Sequence, residues 1–335
     1  MKRLLITCGP TAVGKTALAL ELARRFDGEL VNADSRQVYR GMDIGTGKDL
    51  SINSKFKVQN SKLGAEKYQI GYYLVSGVPI WLLDVVEPDY RFTVADYLKV
   101  AVPVIEDVWS RKKLPILVGG SGFYLKVLTE GVDTVGVKPN QILRKRLERL
   151  TVFKLQKKLK EVDPDRFNKM NNSDRLNPRR LIRAIEIATD SRKNLSKIRH
   201  LNLGKNNIFW IGLKMPLRRL DQAIAKRVKQ RLNLGLLEEI ESLLTRFSFS
   251  DCVLGETIAY QEWQDYFRSR RFEENREKLA SKIIDRWQTN ERQYARRQIT
   301  WFKKNKQISW FRADSQNLFC EVVKKVGQWY IKSNG

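Results

Sequence analysis

Residues Gly9, Pro10, Thr11, Ala12, Val13, Gly14, Lys15 and Thr16 spell G-x-x-x-x-G-K-T. In such a loop the glycines let the backbone curl, so that consecutive N–H groups point inward at phosphate oxygens. A helix N-terminus behind them adds partial positive charge. Lys15 then reaches the terminal phosphate, and the Thr16 hydroxyl is placed to bind Mg²⁺. The context fits, because the apolar run Leu4–Cys8 reads as a buried strand and Thr16–Phe26 as a helix. The loop holds a diphosphate or a triphosphate; its residues do not say which.

Four further groups could share that chemistry. Asp34, Ser35, Arg36 and Gln37 end a second apolar run, Leu30–Ala33, at what would be the carboxyl edge of a sheet. Ligands of open α/β sheets bind there. If this strand adjoins the loop-bearing strand, Asp34 lies near the phosphates as a general base or behind a metal. An Asp-Ser turn or helix cap is the alternative. The neighbouring Gly41–Asp49 stretch, with Lys48, suggests a mobile loop. Asp84 closes the run that starts at Trp81, and reads equally as a Mg²⁺-supporting carboxylate or a cap on the next turn. Gly119, Gly120, Ser121 and Gly122 follow Pro115–Val118, and either admit a ligand closely or form a tight turn. Last, Arg286 to Lys304 is a basic helical stretch with interleaved aromatics, on which Arg292, Arg296 and Lys303 fall on or near one face. That arrangement suits phosphodiester contacts or a solvated charged face.

These groups need a scaffold. Apolar runs at Leu4–Cys8, Leu30–Ala33, Trp81–Val86, Pro115–Val118, Ile208–Leu213 and Ile308–Phe311 read as strands, with helices such as Val94–Ser110 between most of them. The alternation implies an α/β fold with a parallel sheet covered on both faces. Strands stop from about Gly131 to His200, where a basic helical insertion includes a helix opening at Pro178. Residues 217–304 read as mostly helical, and RVKQRLNLGLLEEIESLL keeps a 3.6 period. Residues 46–79 carry no strong pattern, and SINSKFKVQNSK reads as a surface loop. The expected division is 1–130 for the first part of the core, 131–205 for the insertion, and 206–335 for the rest of the core with basic C-terminal helices.

Composition narrows the partner. The 335 residues are 42% apolar, enough for one core or two. Lys plus Arg number 63 against 37 Asp plus Glu, a net charge of +26. A polyanion is the natural partner, nucleic acid first and an anionic membrane second. Three cysteines without metal-ligand spacing and one histidine, His200, exclude a disulfide framework, a Cys/His zinc site and a histidine triad. With no long apolar window and an N-terminal run too short for a secretory signal, a reduced cytoplasmic protein with no membrane span is expected.

In chain order, GPTAVGKT, NADSRQVYRGMDIGTGK, LLDVVEP, ILVGGSGFYLK, NPRRLIRAIEI, GLLEEI and ERQYARRQITWF resemble the tRNA dimethylallyltransferases, or tRNA isopentenyltransferases, over nearly the whole length. DSRQVY followed by GTGK is the most specific part. The resemblance implies a P-loop NTPase-like parallel-sheet core with an inserted α-helical domain. It implies transfer of a dimethylallyl group from dimethylallyl diphosphate to N6 of the adenosine beside the anticodon, position 37 of tRNA. Pyrophosphate leaves. Mg²⁺ is the implied cofactor, held through Thr16; the anticodon stem-loop is the implied partner of a monomeric enzyme. By the same resemblance Gly9–Thr16 holds the diphosphate, Lys15 and Thr16 stabilise the leaving group, and Asp34 accepts the adenine proton. Asp34, Ser35, Arg36 and Gln37 match one tRNA-contact run. Ser121 stands where the family usually has threonine, Arg144 matches an arginine near the start of the insertion, and Arg179, Arg180 and Arg183 match a second contact segment.

Departures are few. Ile80 and Trp81 replace a histidine pair, Leu217 an arginine, Ala259 a glycine and Glu291 a threonine, and the loop over 48–79 is longer. None touches the P-loop or Asp34, so activity is expected to persist while tRNA grip changes. No Cys/His finger is present, which suits a bacterial form. One rival is a P-loop small-molecule kinase or an adenylate isopentenyltransferase, but a free nucleotide needs no surface of charge +26. The other is a non-catalytic nucleic-acid-binding protein with a relict loop, against which intact Lys15, Thr16 and Asp34 argue.

Overall fold

In the computed structural model, residues 2–48, 50, 55–58, 68–137, 139–190, 199–268 and 276–332 are described. Strand β1 (Leu4–Cys8) is buried at each position, as a strand covered on both faces must be. The phosphate loop leads from it into helix α1 (Lys15–Arg25). Then come β2 (Gly28–Asn32), β3 (Phe56–Val58), β4 (Gly71–Val75), β5 (Val78–Trp81), α2 (Val94–Ser110), β6 (Leu114–Gly119) and α3 (Gly122–Glu130). Thr93 and Asp96 open α2 with a reciprocal capping box.

Residues 131–199 form a compact unit of their own. It contains α4 (Gln141–Leu147), α5 (Val152–Val162), α6 (Pro164–Lys169), α7 (Asn172–Arg175) and α8 (Pro178–Thr189). Leu147, Leu155, Leu159, Phe167, Leu181 and Ile185 make its core. Pro178 sits in the first turn of α8, and Asn177 caps that helix by accepting the Arg180 N–H.

The other unit, residues 1–130 with 200–335, adds β7 (Ile208–Lys214), α9 (Leu217–Asn233), α10 (Leu236–Leu244), α11 (Gln264–Arg268), α12 (Arg276–Phe302), β8 (Ile308–Arg312) and α13 (Leu318–Lys332). Its sheet runs β3-β4-β5-β2-β6-β1-β7-β8. Leu5, Leu30, Ile116, Ile211 and Phe311 from five of these strands share one apolar core with Leu22 of α1. No helix among the described residues is long and apolar enough to cross a membrane.

Four expectations change. The sheet is parallel from β5 to β8, but β3 and β4 add an antiparallel edge. Residues 56–58 are therefore a strand rather than surface loop, while 51–54 and 59–67 lie outside the described residues. The β4–β5 hairpin turns on Ser76 and Gly77, both left-handed (φ 50° and 80°), a two-residue turn that matches strand twist. The run Trp81–Val86 is not one strand: β5 ends at Trp81, because Leu82 and Asp84 turn left-handed at φ 64° and 57°. The strand carrying Asp34 does not adjoin β1, since β6 lies between them. Finally, Gly235 at φ 94° divides the single 3.6-period pattern into α9 and α10.

Candidate active site

The carboxyl ends of β1, β2 and β6 open into a cleft of about 960 Å³, walled by α9 and α12. The phosphate loop forms its floor. Gly9 takes φ 144° against the backbone of Leu213, where any Cβ would collide, so the residue type is imposed by the fold. Gly14 is left-handed at φ 81° and leads directly into α1. Lys15 folds over the loop and donates to the Pro10 carbonyl at 2.6 Å. Thr16, in the first turn of α1, also lines the cleft. Beneath it, burial pushes the Cys8 thiol up to about 12 against the pull of Lys15, which keeps it protonated and inert.

Asp34 lines the same cleft on the turn after β2. Its backbone N–H donates to Asn32 Oδ1 (3.1 Å), and its own Oδ1 accepts the Arg36 N–H (2.9 Å). One oxygen thus caps the turn, and the residue still faces the cleft. The Ser35 N–H donates to Ser121 Oγ at 2.9 Å, tying the ends of β2 and β6 together. Gln37 Nε2 donates to the Gly47 carbonyl at 2.8 Å, and the Arg36 guanidinium to the Glu256 carbonyl at 3.3 Å.

The glycines at and after the end of β6 are each crowded by the protein itself. A Cβ at Gly119 would strike the Ala33 backbone, at Gly120 the Gln298 amide, and at Gly122 the Trp301 indole. Asp84 is also occupied internally. It accepts from the Lys48 ammonium and the Tyr73 hydroxyl, and Lys48 reaches Asp43 and the Tyr39 carbonyl as well. Burial pushes the Asp84 carboxyl upward against the pull of Lys48. This network ties the loop of residues 43–48 to the end of β5.

Several cleft residues escaped the sequence reading. Arg227 of α9 donates to Thr11 Oγ1 (3.2 Å) and to the Gly47 carbonyl (3.1 Å), bridging the two loops. Gln298 of α12 accepts the Thr11 N–H (2.9 Å) and donates to the Gly120 carbonyl (3.1 Å). Glu239, outside the cleft lining, holds the lining residues Asp43, Ile44 and Gly45 by accepting their three N–H groups, together with the Tyr260 hydroxyl. Helical spacing was the available signal: Arg227, Gln230, Arg231 and Leu234 repeat at i, i+3, i+4 and i+7, and Glu291, Tyr294 and Gln298 share one face of α12. The basic residues Arg292, Arg296 and Lys303 lie off that face. Arg292 donates to Thr289, Arg296 is exposed 3.8 Å from Asp221, and Lys303 is exposed; none lines the cleft.

The departures take definite places. Glu291 is the buried partner of Arg231 at 3.1 Å. Ala259 is buried at φ 85°, the conformation that a glycine adopts without strain. Leu217 is half exposed at the start of α9, and Ile80 and Trp81 are buried in β5.

Within the inserted unit, Arg144 forms a two-pronged bond to Glu186 at 2.7 Å on each oxygen. Arg183 donates to Glu186 (3.2 Å) and to the Val137 carbonyl (2.8 Å). Arg180 pairs with Asp174, and Arg179 is exposed. Against the opposing effect of burial, Arg144, Arg183 and the Asn140 N–H hold the Glu186 carboxyl below the usual range.

A family model described as IPP transferase matches residues 37–305. A tRNA dimethylallyltransferase of Anoxybacillus flavithermus is 32% identical over 342 residues, covering 99% of each chain. The crystal structure of a full-length tRNA isopentenylpyrophosphate transferase from Bacillus halodurans shares 31% identity at a TM-score of 0.65, covering 100% of this chain and 99% of that one. A eukaryotic dimethylallyltransferase seen acting on tRNA shares the fold, with a TM-score of 0.72 at 24% identity over 99% of this chain and 80% of that one. The fold is accordingly P-loop NTPase-like. Because the match runs from Gln37 through the inserted helices and past the end of α12, the chain belongs to the IPP transferase family.

Proposed function

We propose that this protein transfers a dimethylallyl group from dimethylallyl diphosphate to N6 of the adenosine at position 37 of tRNA, beside the anticodon, and releases pyrophosphate. One observation carries the reading: Thr11, Gly14, Lys15 and Thr16 of the G-x-x-x-x-G-K-T loop line the same cleft as Asp34. The loop amides, Lys15 and Arg227 take up the charge that develops on pyrophosphate as its carbon–oxygen bond breaks. The adenine nitrogen attacks the allylic carbon, and Asp34 accepts the proton it loses. A base inside a stacked loop cannot reach this depth, so the adenosine flips into the cleft.

Mg²⁺ suits the donors present. Among the described residues no cluster of three His, Cys, Asp or Glu side chains could cage an ion. The Thr16 hydroxyl, with diphosphate oxygens and water, is the kind of site that Mg²⁺ accepts. When bound, the ion would offset part of the diphosphate charge.

The deciding assay offers labelled dimethylallyl diphosphate with unmodified tRNA and AMP as competing acceptors. Label in tRNA alone is expected. Label in AMP would overturn the proposal in favour of an enzyme for free nucleotides.

A further inference from the structure

Just outside the cleft, α3 and α12 present two large aromatic rings to solvent side by side. Phe123 is 44% exposed and Trp301 40%, and their rings meet edge to face at 6.4 Å. Trp301 lies across Gly122, where any side chain would strike the indole. Phe123 follows two residues after Ser121, which holds Ser35 beside Asp34. The pair therefore borders the turn that carries the proposed base.

Its surroundings are cationic. Arg297 lies one helical turn before Trp301 on the same face and lines the cleft, and exposed Lys303 and Lys304 follow that ring. Exposed Lys126 lies one turn after Phe123. Flat apolar faces set among positive charges match the two parts of a single-stranded nucleic acid, its bases and its phosphates. An apolar partner protein would gain nothing from those charges.

We infer that Phe123 and Trp301 form an aromatic corner for an unpaired nucleobase of the RNA acceptor, stacked on the face of one ring and meeting the other edge-on, next to the base that enters the cleft. The inference rests on RNA being the acceptor, and adds to that reading a contact made through ring faces instead of phosphates. Stacking releases no condensed counterions, so it differs from a phosphate contact in its response to salt.

The test measures binding of an unmodified anticodon stem-loop RNA to wild type, Phe123→Ala, Phe123→Tyr and Trp301→Ala. Each alanine variant should bind about 5- to 150-fold more weakly, the loss of one stacked base, with an unchanged log–log salt slope. Phe123→Tyr should restore binding, and affinity for dimethylallyl diphosphate should stay at the wild-type value throughout. Because Trp301 also packs on Gly122, Phe123→Ala decides the matter if Trp301→Ala melts early. Binding within twofold of wild type by a folded Phe123→Ala protein would overturn the aromatic corner. So would weaker binding with a flatter salt slope, the mark of a lost phosphate contact. Wild type that fails to bind the stem-loop at all would overturn the acceptor reading, and the aromatic corner with it.

Discussion

Asp34 in the cleft and Glu186 in the inserted helices are both carboxylates among arginines, yet the fold treats them differently. Asp34 gives one oxygen to the Arg36 N–H of its own turn and faces a cleft large enough for substrate. Glu186 is buried under two guanidiniums and a backbone N–H. The first carboxylate lines an open cleft, where the proposed reaction needs a proton acceptor; the second holds helices together. The contrast also bears on two arginines. Arg144 and Arg183, matched to tRNA contacts by resemblance, have their described bonds directed inward, at Glu186 and at backbone carbonyls.

The largest expected effect falls on the cleft side. Asp34→Asn keeps shape and the turn cap but removes the proton acceptor, so transfer should drop by about two to four orders of magnitude. Affinity for the diphosphate should barely change. Lys15→Ala should instead weaken diphosphate binding and slow transfer together, because Lys15 meets phosphate in both ground and transition states. Single-turnover rates set beside calorimetric affinities separate the two. Near-normal turnover in Asp34→Asn would erase the distinction drawn between the carboxylates.

On the other side, Arg144→Ala should destabilise the inserted helices by about 3 kcal/mol, since it leaves a buried carboxylate short of its best partner. No tryptophan lies in residues 131–199, so amide hydrogen exchange along α8 is the suitable readout. The pH dependence has a definite sign. Glu186 is lowered in the folded state, so its stabilisation is full above the ordinary carboxylate range, about 4.3, and is lost as pH falls through the lowered value. Wild-type α8 should therefore lose protection on acidification below about pH 4.3, and the variant should lose less. Equal acid sensitivity would mean that Glu186 is not the organising charge.

The same contrast explains what could be read in advance. The phosphate loop was legible because local geometry dictates its residue types, as at Gly9 and Gly14. Strands β1 and β6 were legible as apolar runs for a related reason: each is buried at every position, which leaves no alternation to misread. Sheet order was not legible, because a strand's neighbours depend on crossovers and not on its own residues; β6 stands between β1 and β2 for no reason written in either. The β3 strand, Phe56-Lys57-Val58, is too short to establish a period. Arg227 and Gln298 reach Thr11 from 216 and 287 residues away, a separation that no local pattern encodes.

A third measurement concerns the outer face of α12. If Arg292, Arg296 and Lys303 contact RNA phosphates, the triple alanine variant should bind tRNA more weakly and flatten the log–log salt slope by about two units, allowing one of the three to point away. A solvated face predicts no change in slope. Affinity for dimethylallyl diphosphate should hold either way, which keeps this outer face distinct from the cleft face formed by Glu291, Tyr294 and Gln298.

The smallest effect is expected at Ala259, and it tests whether the departures from the family pattern are tolerated or compensated. Its φ of 85° places a Cβ in a region that costs an ordinary residue about 1–2 kcal/mol. Glycine avoids that penalty but loses about 0.5–1 kcal/mol more backbone entropy on folding. The difference predicts that Ala259→Gly stabilises the protein by about 0.5–1 kcal/mol, a rise in Tm of about 1–3 °C. Glu291 behaves otherwise, because it is joined to Arg231 in a buried pair, and Glu291→Thr alone should destabilise by leaving that guanidinium without its carboxylate. If Ala259→Gly were neutral or destabilising, the methyl group must gain enough packing in its buried site to offset the strain. Thermal melts of the two variants, run side by side, therefore distinguish a strained substitution from a partnered one.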